Sequence, residues 1–299
     1  MHNDPSKNSN TKTYSTLYDE NITVEQYLME TFSWSKQFYK KQNFPKSWSG
    51  LSVKAKYSYA IPIECINHGK ISMANSNELS KVKILAENDF VVAMSKEEKI
   101  HSHPLSYGEM DNVLSILLAQ GRGDLLQVNS SQYDRCLLYR LDFETSGLML
   151  AAKTDEVYNF IRRNFSTVML QKTYRLKCHG QLKFPKGQWM HWLMPSGKSK
   201  SKMMALNLPD QRQESQQAEL SYSVINFDEN KNQSEVEVYL KTGLRHQIRV
   251  QFAAMGHPIL GDDLYSGIPS KRLYLHAYQY HLELERQKMN FTAELPVDW

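Results

Sequence analysis

The chain has 299 residues, of which 41% are hydrophobic and 23% are charged. This composition fits a soluble globular protein with one large or two moderate domains. Lysine and arginine outnumber aspartate and glutamate by only 36 to 32, so any contact with nucleic acid must come from a local basic surface. No run approaches the ~20 apolar residues that a membrane-spanning helix needs, and we expect no membrane contact.

Cysteine usage and the N-terminus bear on compartment and domain organisation. Cys65, Cys136 and Cys178 are far apart and lack the paired spacing of a zinc site or a disulfide framework. Together with a polar N-terminus that has no apolar signal stretch, this predicts a cytoplasmic protein. We expect a flexible N-terminus over residues 1–21, a small module over residues 22–80 and the main domain over residues 81–299.

The first third of the chain contains both helical and extended patterns. Residues 23–42 have helix-like apolar spacing, and a short strand with a turn at Gly69 follows. Two apolar strands then flank a turn at residues 87–89. Asp111 is placed to cap the next helix, and a glycine pair at 121 and 123 is placed to end it. Its predicted apolar face consists of Val113, Leu114, Leu117 and Leu118.

The middle of the chain is predicted to be a strand interrupted by a turn. Residues 137–141 read as a strand, and residues 148–152 resume it. Between them, residues 142–147 favour a turn through side-chain hydrogen bonds and the open backbone of glycine. Thr154 suits the start of a helix. The apolar face of that helix is expected to carry Val157, Phe160, Ile161 and Phe165.

Alternating rather than continuously apolar strands dominate the rest of the chain. The alternation covers residues 172–180, 220–224 and 236–240, and residues 272–284 read as a further strand pair. This pattern predicts an α+β domain around a largely antiparallel or mixed sheet. Because no glycine-rich phosphate loop is present, we expect no nucleotide cofactor. No cluster with metal-ligand spacing is apparent, and we expect no metal.

Asp142 lies at the break between the two predicted strands. It is either a turn former that hydrogen-bonds the amides of Glu144 or Thr145, or a carboxylate held at a strand end and facing a cleft. The local pattern alone favours the turn.

A second candidate region, residues 240–265, contains an arginine-rich helix start. A helix beginning near His246 should bury Ile248, Phe252 and Met255 and stop at Gly256. Arg245 and Arg249 lie near its N-terminus, where a cation is unfavourable by up to about 1 kcal/mol. Each arginine therefore needs an anionic partner, a carboxylate or an RNA phosphate, unless it lies on a solvated face. Lys172 and Tyr174 are a third set of candidate functional residues. The alternative is that the tyrosine only packs in the core.

Taken together, these segments resemble the RluA branch of the pseudouridine synthases over residues 82–299. In "YRLDFETSGLMLAAKT", the Arg-Leu-Asp-x-x-Thr-Ser-Gly-Leu core matches the catalytic motif and implies that Asp142 is the catalytic aspartate. "KTY" implies that Tyr174 is the active-site tyrosine. "TGLRHQIRVQF" implies that Arg249 pairs with the aspartate. The resemblance also implies substrate binding by Arg140, Thr145, Lys172, Arg245, His246 and Gln247.

The resemblance implies an isomerase that converts uridine to pseudouridine in rRNA or tRNA, acting as a monomer without cofactor or metal. Asp142 would attack the sugar of a flipped-out uridine or remove a proton beside the anomeric carbon, and Tyr174 would lie against the uracil. Three positions depart from the family pattern: Tyr139 replaces a histidine, Leu244 replaces an arginine, and Lys96 is not followed by Pro-x-Gly. These departures bear on the RNA contacts and hence on the target.

Two further features leave alternatives open. The segment 186–203 combines lysines at 186, 198, 200 and 202 with Trp189, His191 and Trp192; it either contacts RNA or is a solvated loop above packed tryptophans. A retaining glycosidase or nucleosidase would also use Asp142, with Glu144 as the second carboxylate. A non-catalytic RNA-binding or assembly protein is the other alternative. Residues 22–80 faintly resemble a small RNA-binding module.

Overall fold

The computed structural model describes residues 11–15, 20–32, 34, 36–55, 57–62, 65, 71–105, 109–130, 132–197, 202–210 and 214–299. The predicted turn at Gly69 lies outside these residues. No helix in the described part of the chain is long and apolar enough to cross a membrane.

The N-terminal residues form a small unit with its own sheet. Strand β1 (Thr11–Ser15) pairs antiparallel with β2 (Ser58–Pro62). The prediction of a flexible start over residues 1–21 is therefore wrong at residues 11–15, because their backbone is hydrogen-bonded into this sheet. Helices α1 (Val24–Thr31) and α2 (Lys36–Lys41) confirm the helical spacing of residues 23–42.

Aromatic packing holds this unit together. The Trp34 ring stacks on Phe44 at 5.6 Å between centroids, and Phe44 stacks on Trp48 at 5.5 Å. Val24 and Leu28 of α1 are buried in the same hydrophobic cluster. A second cluster, formed by residues between 74 and 293, shares none of these members.

Within the described residues, ten strands form one mixed sheet in the order β3-β4-β5-β11-β6-β10-β9-β7-β8, with β12 pairing with β11. The strands are β3 (Val82–Glu87), β4 (Val91–Lys96), β5 (Ser146–Ala152), β6 (Met169–His179), β7 (Lys186–Ser196), β8 (Lys202–Leu206), β9 (Gln216–Asp228), β10 (Gln233–Leu240), β11 (Leu275–Leu284) and β12 (Gln287–Thr292). Strands β5 and β11 run parallel, and the other neighbours are antiparallel. The predicted α+β fold with a largely antiparallel sheet is confirmed.

Four helices of the described residues accompany this sheet. They are α3 (Val113–Ala119), α4 (Asp155–Arg163), α5 (Phe165–Val168) and α6 (Gln247–Ala254). Thr154 caps α4 as predicted, since its side chain accepts from the Val157 amide. The cap of α3 is Asn112 rather than Asp111, because the Asn112 side chain accepts from the Ser115 amide.

The predicted strand 137–141 does not form. Only Leu137 makes a β-bridge, to Ala151, and the Leu138 amide donates to the Leu150 carbonyl at 3.0 Å. The chain then leaves β5, because the Leu141 amide bonds to the Ser102 hydroxyl instead. Residues 272–284 contain one long strand, β11, rather than a strand pair, and β12 is its hairpin partner.

Two side chains assigned to buried helix faces are exposed. Phe160 of α4 and Met255, the residue that follows α6, both face solvent. Met255 is not part of the helix, because α6 ends at Ala254, one residue earlier than the apolar pattern suggests.

Gly147 allows the parallel strands to approach closely at the start of β5. Its φ is +116°, and a Cβ there would lie 2.2 Å from the Ala277 carbonyl oxygen. Only glycine tolerates both conditions. The close contact with β11 therefore fixes where the turn that precedes β5, and with it Asp142, lies.

Candidate active site

Asp142 begins the turn that leads into β5. The Thr145 amide donates to the Asp142 carbonyl at 3.1 Å, which closes the turn. The flanking residues are anchored: the Ser102 hydroxyl bonds to Leu141, and the buried Lys96 ammonium donates to the Phe143 carbonyl. The Asp142 backbone therefore makes the turn, while its carboxylate, 27% exposed, remains available.

A cavity of about 610 Å³ lies in front of this carboxylate. Its walls come from three parts of the chain: residues 139–145, residues 162–174, and residues 240–249 with Leu275. These are the three regions in which the sequence motifs lie, although they are separated by up to a hundred residues along the chain. The tertiary structure thus brings Asp142, Tyr174 and Arg249 to one cavity.

Arg249 contacts Asp142 but is held mainly by another carboxylate. Its Nε and Nη2 donate to the two oxygens of Asp262, each at 2.8 Å. The remaining Nη1 lies 3.6 Å from Asp142 Oδ2 and 3.3 Å from Glu144 Oε2. The expected pairing with Asp142 is present as an ion pair beyond hydrogen-bonding length, because one edge of the guanidinium is fully engaged by Asp262.

Asp262 is a fixed anchor for the guanidinium. It is 0% exposed, and its Oδ1 also accepts the amides of Leu264 and Tyr265 at 3.1 Å. Burial disfavours the charge of Arg249, but hydrogen bonding and attraction to Asp262, with smaller contributions from Asp142 and Glu144, hold the pKa of Arg249 above its usual range. The site therefore contains a permanent, immobile cation beside the Asp142 carboxylate.

His246 is a second polar neighbour of Asp142. Its Nδ1 lies 2.8 Å from the Tyr265 hydroxyl, which itself accepts the Met203 amide. The Tyr265 proton is then free to be donated to Nδ1, which leaves the ring proton on Nε2, 4.0 Å from Asp142 Oδ1. Burial lowers the pKa of His246, although Asp142 opposes this effect. The neutral imidazole thus presents an N–H to the carboxylate.

Tyr174 belongs to a cluster of three tyrosines. Its hydroxyl exchanges a 2.7 Å hydrogen bond with that of Tyr280, whose ring packs edge-on against Tyr139. Tyr139 in turn donates to the Leu148 carbonyl at 3.3 Å. Burial, with a contribution from Asp142, raises the pKa of Tyr174 to about 12. The Tyr174 hydroxyl accordingly keeps its own proton at neutral pH.

Three predicted substrate-binding residues lie in the cavity wall. Lys172 donates to the Thr242 carbonyl at 3.0 Å, and burial lowers the pKa of Lys172 to about 8. The Thr145 hydroxyl is buried there without a hydrogen-bond partner among the described residues. Gln247 bonds to Thr242 and to the Leu244 amide, so it holds the turn that follows β10.

The two predicted arginine contacts are less central. Arg140 is exposed at the cavity rim and lies 3.0 Å from His103 Nε2 and 3.7 Å from Asp134. Arg245 does not line the cavity, because it extends toward β8 and donates to the Lys202 carbonyl at 3.4 Å. The structure thus brings Arg140 to the site and leaves Arg245 on its outer side.

The aromatic residues of segment 186–203 are partly structural. Trp189 packs against Tyr222 at 4.7 Å and Phe252 at 4.8 Å, and the buried His191 pairs with Gln251. Lys198 and Lys200 lie outside the described residues. The interpretation of this segment as a solvated loop is wrong at residues 186–196, because they form strand β7; Trp189 does pack against other side chains, but from within that strand.

Sequence reasoning missed Asp262 and Tyr280. Asp262 lies in the "GDDLY" stretch near the end of the candidate region 240–265. The need of Arg249 for a carboxylate partner was the signal that could have pointed to it. No local signal pointed to Tyr280, because tyrosine is common at buried strand positions.

A carboxylate, a fixed cation and a cavity thus lie together on an α+β sheet. A family model for RNA pseudouridylate synthases matches residues 90–254, more than half of the chain. The chain belongs to this family, whose members are isomerases. Several curated relatives are named ribosomal large subunit pseudouridine synthase D, so the resemblance to the RluA branch is confirmed.

Individual relatives are similar at modest identity. An uncharacterized RNA pseudouridine synthase of Bacillus subtilis, YhcT, is 28% identical over 193 residues, 64% of this chain and 59% of that protein. Ribosomal large subunit pseudouridine synthase D of Blochmanniella floridana is 28% identical over 243 residues, 79% of this chain and 72% of that protein. The chain thus spans 59% to 72% of the length of these two relatives.

Solved structures show the same fold. Human RNA pseudouridylate synthase domain containing 1 superposes with a TM-score of 0.59 at 18% identity, covering 73% of this chain and 85% of that one. Human RNA pseudouridylate synthase domain containing 4 gives 0.56 at 20% identity, covering 74% and 91%.

Proposed function

We propose that the protein isomerises specific uridines of rRNA or tRNA to pseudouridine, with Asp142 as the catalytic carboxylate. The observation that carries this proposal is the Asp142 carboxylate at the cavity, 3.6 Å from a guanidinium that Asp262 holds in place. The reaction breaks the bond from uracil N1 to the ribose, turns the base and joins C5 to the same carbon. Nothing is added or lost, so no cofactor or metal is required.

The proposed mechanism begins with a uridine flipped into the cavity, since a stacked base cannot reach it. Asp142 then attacks the ribose or removes a proton beside the anomeric carbon. The Arg249 guanidinium lies 3.6 Å and the His246 ring 4.0 Å from the carboxylate, so both face it across the cavity. Both groups are oriented by partners outside the cavity, so they need little rearrangement during the reaction.

Tyr174 is proposed to stack on the uracil. Its pKa near 12 makes a phenolate base scarce at neutral pH, so its hydroxyl acts through its hydrogen bond to Tyr280 and its contact with the base. Arg140 at the rim is suited to an RNA phosphate. The unpartnered Thr145 hydroxyl is suited to a polar atom of the nucleotide.

The finer assignments are also proposals. Three buried cysteines that form no disulfide fit a reducing compartment, which supports the cytoplasm. The lysines of α2, at positions 36, 40 and 41, support an RNA-binding role for residues 22–80, ahead of a catalytic domain over residues 81–299. We propose that the chain acts as a monomer.

The deciding experiment is pseudouridine mapping on RNA from cells that lack the protein. One or more sites should lose pseudouridine and regain it with the wild-type gene but not with Asp142→Asn. Full restoration by the Asn variant would refute the role of Asp142. Since Glu144 also contacts Arg249, free uracil is measured in the same reactions, and its release would instead support a nucleosidase. Unchanged pseudouridine at every site, with RNA still bound, would support an assembly protein.

A further inference from the structure

The Lys172 ammonium is a buried cation without an acidic partner. The residue is 7% exposed, and its Nζ donates to the neutral carbonyl of Thr242. No carboxylate of the described residues lies within ion-pair distance of it. An ammonium has three donors, so two remain for a ligand. Because burying an unpaired charge is costly, the missing anion is expected to arrive with the substrate.

The surroundings of Lys172 direct this charge into the cavity. Gly243 leaves space beside it, since a Cβ at position 243 would lie 3.0 Å from Nζ. The Phe165 ring lies 5.5 Å from Nζ on another side.

The charged and titratable groups around Lys172 come from every neighbouring element. They are Tyr280 on β11, Tyr174 on β6, Lys241 after β10, Arg162 and Arg163 on α4, and Tyr139, Arg140, Asp142, His246 and Arg249 in the same cavity wall. Asp142 is the one carboxylate in this set, and Arg249 and His246 contact it. Lys172 is thus left for an anion other than Asp142.

Two anions are available from an RNA substrate, a backbone phosphate and the uracil ring. A phosphate would remain near the solvated rim, where Arg140 and Arg163 are exposed. Lys172 is instead buried, its Nζ lies 5.5 Å from the Phe165 ring, and Tyr174 lies two residues further along β6 in the same cavity wall. The uracil ring is the anion that matches this place.

We propose that Lys172 is the counter-ion of the detached uracil anion, an inference that rests on the proposed isomerase function. When the C1′–N1 bond breaks, its electron pair stays on the base and is shared by N1, O2 and O4. The ribose carbon is taken up as an ester of Asp142, or as a glycal with the proton on Asp142. The ammonium donates to a carbonyl oxygen of the base and keeps its proton.

The charge on the base is removed in the second half of the reaction. The ring supplies the electron pair for the C5–C1′ bond while the ester bond from C1′ to Asp142 breaks or, from the glycal, while Asp142 returns its proton to C2′. C5 then gives up its proton, and N1 takes one up. Lys172 therefore stabilises the step in which charge develops on the base and is not consumed. Interactions of this kind are worth about 10²- to 10³-fold in rate.

The proposal has a pH signature. Burial lowers the pKa of Lys172 to about 8, so the cation is present below that pH and is lost above it. The rate of isomerisation of bound RNA should fall above about pH 8. An arginine at this position stays protonated far beyond that range, so the alkaline limb should move upward in Lys172→Arg.

The test uses total RNA from cells lacking the protein, with enzyme in excess, from about pH 6.5 to about 9.5. Pseudouridine is followed at the sites that depend on the protein. Lys172→Gln should react about 100-fold more slowly while RNA binding, measured by filter retention, stays within about twofold. Lys177→Gln is the control, because Lys177 lies on the same strand over Tyr274 and Trp299, and it should behave as wild type.

The outcomes separate this inference from the function on which it rests. If wild-type enzyme forms no pseudouridine, the isomerase function fails, and the inference with it. If wild type is active and Lys172→Gln is equally fast, the counter-ion role is wrong. If Lys172→Gln binds RNA more weakly, with a smaller salt dependence and a normal rate at saturation, the counter-ion role is also wrong and Lys172 contacts a phosphate. An alkaline limb unmoved in Lys172→Arg would also overturn it, whatever the folding of the Gln variant.

Discussion

Replacing Arg249 with alanine should damage folding and turnover for two different reasons. The guanidinium makes two 2.8 Å hydrogen bonds to Asp262, which is 0% exposed. Removing it leaves that carboxylate buried with only the amides of Leu264 and Tyr265 as donors. Breaking one side of such a pair costs about 3 to 5 kcal/mol. At roughly 2 to 4 °C per kcal/mol for a domain of this size, the melting temperature should drop by roughly 6 to 20 °C.

The double variant Arg249→Met/Asp262→Asn separates the two roles. Asparagine keeps an oxygen for the two backbone amides, and methionine fills the space of the arginine stem, so most of the lost stability should return. Turnover should not return, because Asp142 still lacks the cation 3.6 Å away. Arg249→Met and Asp262→Asn as single variants complete the cycle with the wild type and the double variant, and Arg249→Ala is measured beside these four proteins.

Urea unfolding followed by circular dichroism measures the stability of these proteins, and pseudouridine formation on RNA from deletion cells measures turnover. The reasoning fails if the double variant is no more stable than Arg249→Ala. It fails more broadly if Arg249→Ala melts like wild type and isomerises RNA normally.

Three further predictions follow from the contacts around the site. Tyr174→Phe should bind RNA as wild type but turn over more slowly, because the hydrogen bond to the Tyr280 hydroxyl is lost; equal rates would exclude a role for the hydroxyl. Gly147→Ala should cost roughly 3 kcal/mol or more in urea unfolding, because its Cβ would lie 2.2 Å from the Ala277 carbonyl oxygen; a wild-type midpoint would contradict the close approach. Burial lowers the pKa of His276, which is 1% exposed, to about 4. Since the unfolded chain takes up that proton first as the pH falls, stability should decrease by about 3 kcal/mol between about pH 6.5 and 4. His276→Gln should flatten this slope, and an unchanged slope would contradict the assignment.

Local patterns were sufficient for most of the large sheet. Alternation at Tyr174, Leu176 and Cys178 predicted β6, and the cap at Thr154 predicted the start of α4. These features depend on residues that are neighbours along the chain, so they can be predicted from the sequence. The break at Asp142 was equally visible, because aspartate and threonine favour turns; the predicted turn over residues 142–147 is too long, because β5 already begins at Ser146.

Predictions that depended on distant partners were less successful. Residues 137–141 have the apolar pattern of a strand, but the Leu141 amide donates to the Ser102 hydroxyl instead of pairing with β5. Arg245 was predicted to contact RNA or to lie on a solvated face, and the structure shows that it lies against β8, outside the cavity wall. In both cases the outcome depended on a residue tens of positions away, which periodicity does not report.

The sequence by itself determined most strands of the large sheet, the helix start at Thr154 and the position of Asp142 at the start of a turn. The tertiary structure alone decided which edge of Arg249 faces Asp262 and which faces Asp142, and that the Tyr174 hydroxyl meets Tyr280. The physical reason is that backbone preferences act over a few residues, whereas hydrogen-bond partners in a cavity are chosen by the packing of α6, β6 and β11 around it.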